Sequence, residues 1–376
     1  VSNPSPLHHP RIDFLRGIAI LCVLLLHFAL AFGLKNSPLG TIFPPAWLRV
    51  VFSGNYGVTM FFVISGYLIT THSLARWGSL SQIKLRDFYL LRLARIMPAL
   101  LLALSIIVIL GSFDLPFFNN RDGDHQWGAS YFWLGAGSVL TFWHNVLMQS
   151  SGYFNYCLNI YWSLSVEEVF YLALPLAALL LRRTAWLVLL CLGALVLGPV
   201  YRFHHSDNEI FFMYAYQACF DAIAMGVLTA LLAHHWQIEV AHARALRLLR
   251  YGALLALAVV YCRGIDGHEA GGFSLIALAS SIFIFSAVKD NQAGLGNGHA
   301  SAWLRWFGRH SYELYLFHIV VLALLRNLTS KEQLSYAARL PLLLLFLALS
   351  ALLAALVARY VSGPANAALR RRWQLH

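Results

Sequence analysis

Apolar and polar positions fall in long blocks along the chain rather than in the short alternations of a strand. Runs of roughly twenty residues, the length a helix needs to cross a hydrocarbon layer, lie near 12–33, 52–72, 91–111, 160–181, 185–203, 210–233, 248–263, 271–288, 303–325 and 338–361. This pattern predicts an all-α, polytopic bundle of ten membrane-spanning helices. The polar breaks are too short to fold alone, and no repeat, low-complexity tract or Gly/Ser linker interrupts the pattern, so residues 1–376 read as one membrane domain. Residues 1–10 (VSNPSPLHHP) are polar and Pro-rich rather than a cleavable leader, and the first apolar run reads as a retained anchor helix.

An eleventh stretch, 131–148 (YFWLGAGSVLTFWHNVLM), is also apolar, and counting it as a span inverts every later loop. Charge placement decides between the two topologies, because cytoplasmic loops collect Lys and Arg. Ten spans with both termini cytoplasmic put 19 of the 27 Lys and Arg inside, whereas eleven put only 12 there. The expectation is therefore ten spans, with 131–148 a re-entrant or interfacial helix on the outer side.

Composition sharpens this picture. Of 376 residues, 59% are apolar and 11% charged, and mean hydropathy is +0.65; soluble domains carry about 25% charged residues. A disordered chain and a secreted disulfide scaffold are excluded, and a cytosolic enzyme is disfavoured. The formal net charge of +11 has the positive-inside asymmetry as its commoner cause and does not imply a nucleic-acid partner. Cys22, Cys157, Cys191, Cys219 and Cys262 are odd in number and lack metal-ligand spacing, so they read as buried thiols and no metal is expected.

Ionisable groups inside spans are costly in lipid and mark functional candidates. They are His27, Glu167, Glu168, Asp221, Glu313 and His318, with Arg16, Arg92 and Arg95 near cytoplasmic ends. Arg16 and His27 are eleven positions apart, which at ~100° per residue returns to nearly the same helix face about 16 Å along the axis. A neutral imidazole at His27 suits a base that takes a proton from a hydroxyl; a hydrogen bond to a neighbouring helix carbonyl is the alternative. Arg92 and Arg95, i and i+3 in RLARIMP, present paired guanidinium forks that suit phosphate or, equally, lipid headgroups. Adjacent Glu167 and Glu168, near the outer boundary, point about 100° apart, so one faces the interior. Around them Trp162 and Tyr171 fit an interfacial belt or a stacking surface for a sugar. No GxSxG elbow supports a serine nucleophile.

Taken together, these segments resemble the acyltransferase-3 family of integral membrane acyltransferases. RIDFLRGIAILCVLLLHF supplies the family's basic residue and histidine at Arg16 and His27; MFFVISGYLIT at 60–70 resembles its FFxxSG(F/Y)L motif. RLARIMPA resembles its RxxR pair, WSLSVEEVFY its WSLxxExxFY with Glu167 as the acidic residue, and SYELYLFH its SYxxYLxH at Ser311, Tyr312, Tyr315 and His318. The resemblance implies transfer of an acyl group, usually acetyl, from cytoplasmic acetyl-CoA or another acyl-CoA to a hydroxyl of a glycan or lipid-linked saccharide at the outer side of a bacterial cytoplasmic membrane. It implies His27 as general base, or else as the site of an acyl-imidazole intermediate, Arg92, Arg95 and Arg16 holding CoA phosphates, Glu167 orienting His27 or binding acceptor, and Trp162, Tyr171, Tyr312 and His318 on the acceptor side. Ser362 and Thr59 stand where relatives often carry an acidic residue, and Glu313 where a small polar one is usual. No fused SGNH-type domain is expected. A proton-coupled transporter of a sugar or organic anion is the competing class, though the chain lacks the repeat symmetry many transporters show.

Overall fold

The computed structural model describes residues 9–39, 45–122, 125–236, 242–289 and 295–375, so residues 1–8 of the Pro-rich N-terminal stretch lie outside the described residues. Ten helical segments are long and apolar enough to cross a membrane, as the hydropathy pattern predicts. In chain order the helices are α1 (Pro10–Phe32), α2 (Pro45–Phe52), α3 (Tyr56–Trp77), α4 (Leu85–Ser112), α5 (Ala129–Leu140), α6 (His144–Ser151), α7 (Trp162–Leu181) and α8 (Thr184–His204). They continue as α9 (Glu209–Tyr214), α10 (Tyr216–His235), α11 (Ala243–Arg263), α12 (Glu269–Lys289), α13 (Ala302–Arg309), α14 (Ser311–Leu328), α15 (Arg339–Val357) and α16 (Gly363–Arg372). The only extended pairing among the described residues is a two-residue antiparallel ladder, β1 (Arg121–Asp122) with β2 (His125–Gln126).

Three apolar runs are not the single straight helices that hydropathy predicts. The run at 303–325 is split at His310 into α13 and α14. In α13 (AWLRWFGR) apolar and basic residues segregate to opposite faces, which suits a helix lying along an interface. Its Gly308 meets the Asp13 carbonyl oxygen so closely that a Cβ would overlap it. The run at 210–233 breaks at Ala215, which is extended (φ −67°, ψ 147°), and α9 opens on an Asn208 side chain that accepts from the backbone N–H groups of Ile210 (3.1 Å) and Phe211 (3.4 Å). The last run continues beyond 361 through a π-helical turn, Ala358–Ser362, into α16. Pro364 has no N–H and its ring crowds the carbonyl four residues earlier, and the wider π turn relieves both.

The ambiguous segment 131–148 forms two short helices, α5 and α6, parted at Thr141–Trp143, with Phe142 at φ 61°. Twelve residues of α5 span about 18 Å, short of the ~30 Å hydrocarbon thickness. A single spanning helix is thereby ruled out for this segment.

The described chain divides into two compact units. The first comprises Val1–Val23, Ser53–Ile83 and Phe170–Arg309, the second Leu24–Phe52, Lys84–Val169 and His310–His376. In the first, α3 and α10 pack backbone against backbone: a Cβ on Gly66 would overlap the Ile223 carbonyl oxygen, and one on Gly226 the Val63 carbonyl oxygen. Small residues that let helices approach this closely are the membrane counterpart of core packing. The same unit buries an ion pair, Arg202 Nη2 to Asp221 Oδ2 at 2.6 Å, whose remaining polar atoms are satisfied by Ser274 and the Ala218 and Ala270 carbonyls. Removing either partner of such a pair costs roughly 3–5 kcal/mol, so Asp221, an ionisable group inside a span, is accounted for by packing.

In the second unit α14 packs against α4 and α15, and α16 lies along α4. Phe28 near the end of α1 stacks on Phe346 of α15, ring centroids 5.6 Å apart. The α5–α6 hairpin is pinned from within: Ser138 Oγ lies 2.7 Å from His144 Nδ1, and the His144 backbone N–H donates to Ser165 Oγ at 3.1 Å. His144 lies outside the spanning helices, and burial lowers its pKa from 6.5 to about 3, so the ring is neutral at physiological pH.

Candidate active site

The second unit brings together two histidines from opposite ends of the sequence. His318 sits two turns inside α14 and is fully buried. Its Nδ1 lies 3.0 Å from the Leu314 carbonyl oxygen and 2.8 Å from that of Tyr315. Carbonyl oxygens only accept, so Nδ1 carries the hydrogen, and in the neutral ring Nε2 is left as a bare acceptor. That Nε2 is buried and has no hydrogen-bond partner among the described residues. The ring of His27, half-buried on α1, stands edge-on to His318 with centroids 4.9 Å apart and planes at 63°.

The tyrosines of SYELYLFH position α14. The Tyr315 hydroxyl donates to the Ile160 carbonyl oxygen at 2.8 Å and lies 2.6 Å from Ser163 Oγ, while the Tyr312 hydroxyl donates to the Ile96 carbonyl oxygen at 2.8 Å. One tyrosine therefore ties α14 to the start of α7 and the other to α4. Glu313, the departure from the usual small residue, is buried.

Arg92 and the paired glutamates meet directly, 76 positions apart in sequence. Arg92 Nη2 is 2.6 Å from Glu168 Oε1, its Nε is 3.1 and 3.3 Å from the two oxygens of that carboxylate, and Glu167 Oε2 lies 3.7 Å from Nη2. Glu168 is the more buried carboxylate (side chain 6% exposed) and Glu167 the more open (21%). The sequence reading separates these groups, with Arg92 at a cytoplasmic mouth and the glutamates near the outer boundary. The difference arises because α4 begins at Leu85 rather than 91. Arg92 is then two turns inside the helix, about 10 Å along its axis. Arg95, one turn further, is exposed.

The other expected site residues are placed as follows. Arg16, in the first unit, lies 3.9 Å from Asp13 one helical turn earlier. Tyr171, also in that unit, is buried with its hydroxyl hydrogen-bonded to Ser65 of the MFFVISGYLIT segment. Trp162, in the second unit, is buried at the start of α7. Both aromatic rings are thus packed in this structure. Thr59 is buried and Ser362 part-exposed within the π turn. Among the described residues no three His, Cys, Asp or Glu side chains are grouped to hold a metal ion.

The sequence model of an acyltransferase domain matches residues 9–359, nearly the whole chain. The chain belongs to the acyltransferase-3 family. Curated relatives include the peptidoglycan O-acetyltransferase OatA of Listeria monocytogenes, 25% identical over 332 residues that make up 84% of this chain and 49% of that protein. A Bacillus subtilis protein named as a candidate peptidoglycan O-acetyltransferase is 27% identical over 345 residues, 84% of this chain and 49% of its own length. A Staphylococcus aureus protein named as a candidate O-acetyltransferase is 25% identical over 340 residues, 85% and 51% respectively. The chain spans about half the length of these relatives. No solved structure matches it. As an acyltransferase-3 family member with ten apolar spanning helices, the chain is a multi-pass membrane protein.

Proposed function

We propose that the chain is a membrane O-acyltransferase that moves an acetyl group from cytoplasmic acetyl-CoA to a hydroxyl of a glycan or lipid-linked saccharide on the outer side of a bacterial cytoplasmic membrane. The observation that carries this reading is the His27–His318 pair, a half-buried imidazole beside a fully buried one within the stretch that the family matches. In the direct reaction His27 takes the proton from the acceptor hydroxyl as its oxygen attacks the thioester carbonyl. The carbon–sulfur bond breaks, and the CoA thiolate receives that proton. Products are the O-acetyl ester and free CoA thiol, with no net change at His27.

Arg95, exposed on α4, is the proposed phosphate-binding residue. Arg92 is engaged by Glu168, so its role is to hold the carboxylate pair in place, with the more open Glu167 left to face the acceptor. Both termini are proposed to be cytoplasmic, with the α5–α6 hairpin on the outer side. The test is release of free CoA thiol by purified protein in lipid, with and without a glycan extract that includes peptidoglycan fragments. Release that depends on extract supports the reading; acetyl-CoA that neither binds nor turns over moves it to the transporter class.

Arg95→Ala is expected to raise KM for acetyl-CoA by about 10-fold or more with little change in kcat, since a charge-assisted hydrogen bond is worth ~1.5–3 kcal/mol. An unchanged KM returns Arg95 to ordinary positive-inside charge. Arg92→Ala is a poorer probe, because it strands the buried Glu168 carboxylate and lowers stability as well.

A further inference from the structure

We infer that a slot between the ends of α3, α10 and α12 holds the headgroup of an anionic phospholipid, with Lys289 and His234 as the cationic contacts to its phosphate. The site depends on the membrane placement of the first unit and not on acyl transfer.

The slot has a volume of about 270 Å³ and lies wholly within the first unit. The three helices pack against one another. Each contributes residues from its C-terminal half: Tyr67, Thr71 and Leu74 on α3, His234 on α10, and Val288 and Lys289 on α12. All three helices therefore end on one side of the membrane, the cytoplasmic side in the proposed topology. Tyr67 is ten residues before the end of α3, roughly 15 Å along its axis, whereas Lys289 is the last residue of α12 and His234 the last but one of α10. The basic groups thus belong to the helix ends, and the polar hydroxyl of Tyr67 and the apolar Leu74 to the depth.

Charge, size and setting decide the ligand. No carboxylate lines the slot. Helix C-termini carry partial negative charge, and a lysine or histidine placed only to offset it often hydrogen-bonds the last carbonyls. Among the described residues neither Lys289 nor His234 makes a hydrogen bond or an ion pair, so both are available to a phosphate. The volume falls below the roughly 300–1,000 Å³ of sites that enclose a drug-sized ligand, which suits one phosphodiester with its glycerol and is too small for the nucleotide of CoA. Trp77 closes α3 and the exposed Trp236 follows α10, aromatic residues of the kind that mark headgroup depth. A basic pocket between spanning helices at that depth on the cytoplasmic side is where anionic headgroups bind.

The test uses the whole protein in detergent, stripped of lipid, with short-chain phosphatidylglycerol as the probe and the rise in melting temperature as the readout. Lys289→Gln is expected to raise the half-saturating concentration about 10-fold or more, the loss of one charge-assisted contact, and His234→Gln to raise it less. Lys84→Gln removes the same charge from an exposed position ahead of α4 and is expected to titrate as wild type. Equal weakening by Lys84→Gln and Lys289→Gln, or no weakening by Lys289→Gln, overturns the inference.

Competition on the wild type needs no variant. Phosphatidylcholine of the same chain length is expected to bind several-fold more weakly, and neither inorganic phosphate nor CoA to displace phosphatidylglycerol. Equal binding of the two lipids removes headgroup charge from the recognition, and displacement by phosphate or CoA assigns the slot to a free phosphate or a nucleotide; each of these results overturns the inference. None of the readouts involves turnover, so failure of the acyl-transfer reading leaves them unchanged.

Discussion

His27→Ala leaves a folded protein whose CoA release falls by about 10²–10⁴-fold, the usual contribution of a positioned general base. The ring is half-buried, whereas Arg202, Asp221 and Glu168 hold the buried ion pairs on which the fold depends. The variant is therefore expected to elute from size exclusion and to melt close to wild type, while binding acetyl-CoA with unchanged affinity. The measurement is a paired one, thioester turnover and acetyl-CoA binding on the same preparation. Turnover within a few-fold of wild type removes His27 from the chemistry and, with it, the mechanism proposed for this site.

Gly226→Val is expected to prevent assembly of the first unit. The α3–α10 contact is reciprocal, with Gly66 under the Ile223 carbonyl and Gly226 under the Val63 carbonyl, so a side chain on either glycine meets rigid backbone rather than a movable neighbour. Overpacking an ordinary core costs typically 1–3 kcal/mol, and here neither helix can yield without separating along its length. Fluorescence-detected size exclusion of a tagged protein should show aggregate or loss of the monodisperse peak for Gly226→Val and for Gly66→Val. A wild-type elution profile and melting temperature for both variants contradicts the backbone contact. The contact also explains why a glycine follows serine in MFFVISGYLIT, a string that hydropathy alone treats as more apolar filling.

Much of the fold was legible because length and polarity are local properties. All ten spanning segments were readable from hydropathy, since a helix in lipid must satisfy its own backbone and show apolar side chains over about twenty residues. The failures were at breaks within an apolar run. His310, Ala215 and the π turn before Gly363 do not change hydropathy; they depend on a close approach at Gly308, a cap at Asn208 and the ring of Pro364. The α5–α6 segment was resolved by charge rather than hydropathy, because an inverted topology misplaces Lys and Arg over the whole chain.

The candidate site was legible as a set of residues but not as pairs. His27 and His318 stood out as imidazoles within spans, yet nothing local in the sequence shows that α1 and α14 set their rings side by side. Hydropathy sets Arg92 and Glu168 at opposite ends of the membrane because a span starting at 91 leaves Arg92 at its mouth, whereas the helix from Leu85 carries it inward to the carboxylate. Of the adjacent glutamates, resemblance singled out Glu167, while the buried bidentate partner of Arg92 is Glu168. Tyr312 and Tyr315 show how a motif residue can serve the site indirectly, each fixing α14 through a backbone carbonyl on a neighbouring helix.

The central claim is tested most directly by following the acetyl group itself. The protein is reconstituted in lipid vesicles, supplied with acetyl-CoA labelled in the acetyl carbon and offered peptidoglycan fragments and lipid-linked saccharides, and the glycans are then recovered and treated with mild base. The account predicts label in a base-labile ester on a glycan with wild type and none with His27→Ala. Label that stays on CoA while the saccharide or the anion crosses the vesicle membrane contradicts it, and identifies a transporter instead.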